Sequence, residues 1–122
     1  MAQEQRKFSR VRTDFGVKYR VKGSASSPTK AVSVNICEGG IMLKTSKKLP
    51  PGSILQLTIV LPSPYVSINV QGRITFVLNN YWGGYPTYRC GVAFVKLKQK
   101  DRLTIRKFVK ESIARLDWNH WM

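Results

Sequence analysis

Two arginines four positions apart, Arg6 and Arg10, are the first residues whose type and spacing suit a chemical task. In an extended segment an even spacing puts both side chains on one side; in a helical turn a spacing of four does the same. Either way two guanidinium groups can converge on one anion. Each planar fork can donate two parallel hydrogen bonds to a phosphate, and can also stack on a nucleobase or bond its edge. Two arginines are equally what a merely solvated basic arm contains. A second run is Asn35-Ile36-Cys37-Glu38-Gly39-Gly40. Asn35 offers an amide that can read a base edge. Gly39-Gly40 permits left-handed backbone and close approach of a ligand. The same run is also a good hairpin turn.

These groups need elements to hold them. Residues 1–13 are polar and basic, with Phe8 and Val11 as the larger apolar groups after Met1, and read as a flexible arm. From Phe15 the pattern alternates: Phe15, Val17, Tyr19 and Val21 share one face, and Lys18, Arg20 and Lys22 the other, as in a half-buried strand. A second strand is expected at about 30–36, a turn at 37–40, and a third strand at 41–45. Leu55, Leu57, Ile59 and Leu61 alternate in a fourth. Val66, Ile68, Val70, Ile74, Phe76 and Leu78 keep period two in a fifth, and Gly72 on that face predicts a bulge or bend there. Residues 79–86 read as a long hairpin tip, with Tyr81, Trp82, Tyr85 and Tyr88 as an aromatic lid or contact surface, before a last strand at 87–95.

The period then changes. Ile105, Phe108, Val109, Ser112, Ile113 and Leu116 recur at helical spacing, with Asp101 placed to help a helix N-terminus. Short strands with regular turn signals predict a small closed or partly closed barrel with this helix over one face or mouth. The unit is expected to span 14–116, leaving 117–122 as a tail.

The 122 residues suffice for one domain with a core, and 43% of them are hydrophobic, a globular composition. Twenty-one Lys and Arg against six Asp and Glu give a net charge of +15, which calls for an anionic partner. No apolar run approaches the roughly 18 residues of a membrane span, and the polar N-terminus leads into no signal core, so a cytoplasmic protein is expected. Cys37 and Cys90 form no metal-binding spacing and read as free thiols. With His120 as the single histidine and so few carboxylates, no catalytic constellation assembles, and an enzyme is not expected.

Taken together, in this order and separation, the two motifs resemble the PilZ family. That family carries R-x-x-x-R in an N-terminal arm and D/N-x-S-x-x-G at a strand-to-strand turn. Arg6 and Arg10 supply the first motif, and Asn35 and Gly40 match the second; Cys37 stands where the family usually has serine. Arg6-Lys7-Phe8-Ser9-Arg10-Val11, Gly40-Ile41 and Cys90-Gly91-Val92-Ala93-Phe94-Val95 extend the likeness over about residues 4–113. The resemblance implies a mainly β fold, a six-stranded antiparallel barrel with a C-terminal α-helix. It also implies cyclic di-GMP as ligand, with no metal and no other cofactor. Arg6 and Arg10 would grip phosphates and guanine, Asn35 would bond guanine, and Gly40 beside Gly39 would leave room. The arm would close on the nucleotide as a second-messenger switch read by a downstream partner. Cys37 would cost one neutral hydrogen bond, on the order of 1 kcal/mol, against about 1.5–3 kcal/mol for each charge-assisted arginine contact. In this family the position of Gln5 influences whether one nucleotide or a stacked pair binds.

The dinucleotide alone does not account for +15. An acidic downstream protein is the expected partner for the surplus, beside the alternative of a solvated basic face. Two other functions compete: a small basic barrel binding single-stranded nucleic acid, and a PilZ-like scaffold that has lost nucleotide binding.

Overall fold

Strict alternation along the strands decides which side chains make the core. In the computed structural model, which describes residues 9–62, 65–82 and 85–121, the elements are β1 (Val11–Arg12), β2 (Gly16–Val21), β3 (Thr29–Cys37), β4 (Gly40–Thr45), β5 (Ile54–Leu61), β6 (Val66–Trp82), β7 (Tyr85–Val95) and α1 (Gln99–Trp121). The inward positions Val17, Tyr19, Leu43, Leu55, Leu57, Ile59, Leu61 and Ile68 are buried, and the basic residues between them on β2 face outward. The strands follow the order β3-β2-β5-β6-β7-β4, and β4 pairs back onto β3, closing a six-stranded antiparallel barrel. The short β1 continues along β3 beyond the end of β2. A closed barrel has no long edge to protect.

Helix α1 covers the end of the barrel next to β1 and β3. Ile105 and Val109 are buried there, with Phe108 and Ile113 packed against the core. The rings of Phe15 and Phe108 meet edge to face, 6.0 Å apart at 87°. Asp101 sits in the first turn, where a carboxylate opposes the positive end of the helix dipole. The helix runs on to Trp121, into the stretch expected as a tail.

Three local expectations change. The bulge in β6 lies between Ile74 and Phe76, not at Gly72, which stays in register between Leu55 and Phe94. Gly72 is glycine because the barrel walls meet there: a Cβ would lie 2.3 Å from Val92 Cγ1 and 3.2 Å from Leu57 Cδ1. The extra residue, Thr75, reverses the phase, so Phe76 and Leu78 are 40% and 52% exposed while Val77 packs on the core. The aromatic segment is paired strand rather than a long loop, with Asn79 opposite Tyr88 and Trp82 opposite Tyr85. Among the described residues the glycines with positive φ are Gly23 and Gly52, whereas Gly40 leaves its turn without one.

The chain before β2 is stitched to β3 at a second bulge, between Ser33 and Asn35. Phe15 N donates to the buried Ser33 Oγ at 3.0 Å, Ser33 N to Phe15 O at 2.8 Å, and Thr13 N to Val34 O at 2.9 Å. Ser33→Ala leaves the Phe15 N–H without its acceptor at a site too tight for easy repair. A loss of about 1–2 kcal/mol is expected, seen as a melting temperature lower by several degrees and faster exchange of the Phe15 amide. An unchanged melt would mean that the hydroxyl does not hold this junction.

Candidate functional site

The register of β1 decides whether the two motif halves can meet. Val11 pairs with Ile36 and Arg12 with Asn35. Continued by one residue, the same register sets Arg10 level with Cys37. Val11 is buried between exposed Arg10 and Arg12, so both guanidinium groups leave the outer face. Asn35 is half-buried on that face, with its amide nitrogen 3.9 Å from Met42 Sδ. Arg6 lies outside the described residues.

Directly paired residues share a face, so the ladders give the whole outer wall. Arg12, Asn35, Met42, Gly91 and Phe76 are successive partners across β1, β3, β4, β7 and β6. On one side of this row run Cys37, Gly40, Ala93 and Arg73; on the other run Val32, Lys44, Arg89 and Leu78. Phe76 lies flat on Gly91, where a Cβ would fall 2.1 Å from the ring. The wall is therefore a low apolar floor with an amide at one end and cations around it. Such a surface offers stacking, edge recognition and donors for phosphate.

Gly40 has a structural reason of its own. A Cβ there would lie 2.2 Å from Val92 O and 3.2 Å from Ala93 Cα, both backbone atoms of β7. Gly39 O accepts from Phe94 N at 2.9 Å, so the corner is bound into the barrel. Cys37 is buried at the end of β3, opposite Gly40, as a free thiol.

The family model of the PilZ domain matches residues 4–111 of the chain. The chain belongs to the PilZ domain family. Among solved structures, the PilZ domain of Escherichia coli YcgR with c-di-GMP is similar at a TM-score of 0.75 and 12% identity, over 96% of this chain and 98% of that one. K. pneumonia MrkH in its apo state gives 0.78 at 16% identity, over 98% of this chain and 56% of that one. The Bacillus subtilis inhibitor of motility, MotI/DgrA, gives 0.77 at 15% identity, over 93% and 53%. This chain thus spans about half the length of the last two proteins. At these identities the likeness shows the PilZ fold. No curated protein sequence matches.

The PilZ corner carries a tie that no local pattern signals. Glu38, at the tip between β3 and β4, accepts from Arg106 of α1 through both carboxylate oxygens, Nη2 to Oε2 at 3.2 Å and Nε to Oε1 closer still. The tie removes the one carboxylate of the motif from the outer wall and anchors the corner to the helix. The Arg106 hydrogen bonds hold the Glu38 carboxyl below its ordinary range, with burial acting in the opposite direction. A carboxyl whose folded pKa is depressed stabilises the fold above its unfolded value, near about 4.3, and loses that contribution as pH falls through the folded value. The melting-temperature gap between wild type and Glu38→Gln should therefore be full above about pH 5.5 and close in stronger acid. A gap constant down to pH 3 would assign the effect to something other than the ionised pair.

Arg12 stands on the candidate wall although motif reading passes over it; Arg10 and Arg12, two apart in an extended segment, share a face by simple alternation. Met42, Phe76 and Arg89 join the wall only through strand pairing. Among the described residues no group of three His, Cys, Asp or Glu side chains is placed to hold a metal. No helix there is long and apolar enough to cross a membrane.

Proposed function

We propose that this PilZ chain is a non-enzymatic cytoplasmic receptor for cyclic di-GMP. The dinucleotide lies on the outer wall of β3, β4 and β7, and the residues ahead of β1 act as an arm that closes over it, because Val11 to Thr13 are already bound to β3. Arg10 and Arg6 grip phosphate and guanine, Asn35 bonds a guanine edge, and the Gly39-Gly40 corner keeps the surface low. Cys37 contributes shape and a weak donor, at a cost on the order of 1 kcal/mol relative to a hydroxyl. The observation that carries the reading is the pairing of Arg12 with Asn35, because it brings the strand entered from Arg10 onto the amide of the second motif. Closure of the arm changes the surface around β1, and a downstream protein reads that change.

The titration of cyclic di-GMP into the full chain by calorimetry tests this reading. Saturable binding in the micromolar range, undisturbed by excess GTP, is expected. Absence of heat, combined with single-stranded DNA binding that weakens steeply with salt, would replace the receptor with a nucleic-acid barrel. Absence of both would leave a scaffold without nucleotide binding.

A further inference from the structure

The surplus charge has a second focus, away from the Asn35 corner. In the cyclic strand order, β2 and β5 stand across the barrel from β7 and β4. Their outer face, with the start of β6, forms a groove of about 600 Å³. Among the described residues five cations line it: Lys18, Arg20 and Lys22 from β2 and its end, and Lys96 and Lys98 just after β7. No Asp or Glu is among the described residues that line it.

The neutral side chains of the groove repeat the preference. Arg20 Nη2 donates to Gln56 Oε1 at 3.0 Å, and Thr58 Oγ1 to Asn69 Oδ1 at 3.0 Å. With both amide oxygens engaged as acceptors, what Gln56 and Asn69 still offer a ligand is their N–H₂ donors. The surface is thus rich in donors and suited to groups that only accept, such as carboxylates and phosphates. Lys96 adds a conformational clue: it holds a left-handed φ of 55°, which a side chain rarely adopts, at the rim of the groove.

We propose that this groove docks an acidic, partly apolar segment of a partner protein. Lys18, Arg20 and Lys22 recur at every second residue, about 7 Å apart, which fits carboxylates spaced along an extended segment. Pro28 and Val95 add apolar lining to the same groove, useful to a peptide side chain and of no use to a phosphate backbone. No aromatic ring is among the described residues that line it, so they offer unpaired bases nothing to stack on. The site supplies the surface for the downstream partner of the receptor reading, and it is separate from the nucleotide wall.

Fluorescence anisotropy of the full chain with a dye-labelled peptide of glutamates interspersed with leucines tests the proposal. Lys18→Glu/Lys22→Glu is compared with Lys107→Glu/Lys110→Glu on the helix, which has the same net charge. The groove pair should weaken binding by at least about tenfold, and the helix pair by less than about threefold. Lys96→Gly, which suits a left-handed φ, should weaken binding several-fold while holding or raising the melting temperature. Equal weakening by both pairs, or no binding by wild type, would overturn the proposal. Tighter binding of duplex DNA in the same groove would overturn it too and give the surface to nucleic acid. Cyclic di-GMP affinity should be unchanged in Lys18→Glu/Lys22→Glu. A failed receptor reading shows in the wild-type nucleotide titration and leaves the peptide result untouched.

Discussion

Arg10→Ala is expected to lower the affinity for cyclic di-GMP by about tenfold to a hundredfold with little change in the melting temperature. Arg10 is exposed and precedes the first paired residue of β1, so its removal leaves the packing intact. What disappears is one charge-assisted contact, about 1.5–3 kcal/mol, in a place where Lys cannot supply the same planar fork. Arg10→Lys should therefore recover only part of the loss. Calorimetry on the three proteins at one salt concentration measures this directly. Equal affinities for all three would remove Arg10 from the site and return it to a solvated arm.

Gly40→Ala is expected to fail for a different reason. The added methyl would collide with Val92 O and Ala93 Cα, and strand backbone in a closed barrel cannot swing aside as a side-chain tip can. Overpacking of this kind should cost on the order of 3 kcal/mol, lowering the melting temperature by on the order of 10 °C. Gly91→Ala makes the contrast. The three atoms nearest its methyl all belong to the ring of Phe76, which is 40% exposed and can move outward. That variant should melt within a few degrees of wild type while losing the flat floor of the wall. Were Gly40→Ala to melt normally and lose only nucleotide binding, ligand space alone would explain the glycine.

This pair of glycines also shows where sequence reading stops. Gly-Gly after Asn35 signals a turn, and the turn is there, but its second glycine answers to a strand fifty residues further on. Alternation placed β2 and β5 correctly because each has one buried face and no bulge. The same rule misled in β6: Ile74, Phe76 and Leu78 alternate in sequence, yet Thr75 bulges and turns the last two outward. Nothing local marks that change, since an exposed Phe is stabilised by Gly91 on the neighbouring strand. Asn79, Asn80 and Pro86 suggested a loop by composition, and pairing across β6 and β7 overrides that propensity. The bond between Glu38 and Arg106 joins residues 68 apart and leaves no trace in either segment. Val11 and Arg12 form a strand too short for any period to reveal, and that strand is what brings the arm to Asn35.

Amide chemical shifts recorded while cyclic di-GMP is added to the full chain give the most direct test. The expected perturbations fall at residues 10–12, at 35–42 and at 89–93, with the β2–β5 wall around Lys18 and Gln56 unmoved. Perturbations confined to the β2–β5 wall, or none at saturating nucleotide, would contradict a receptor built from the arginine arm and the asparagine corner.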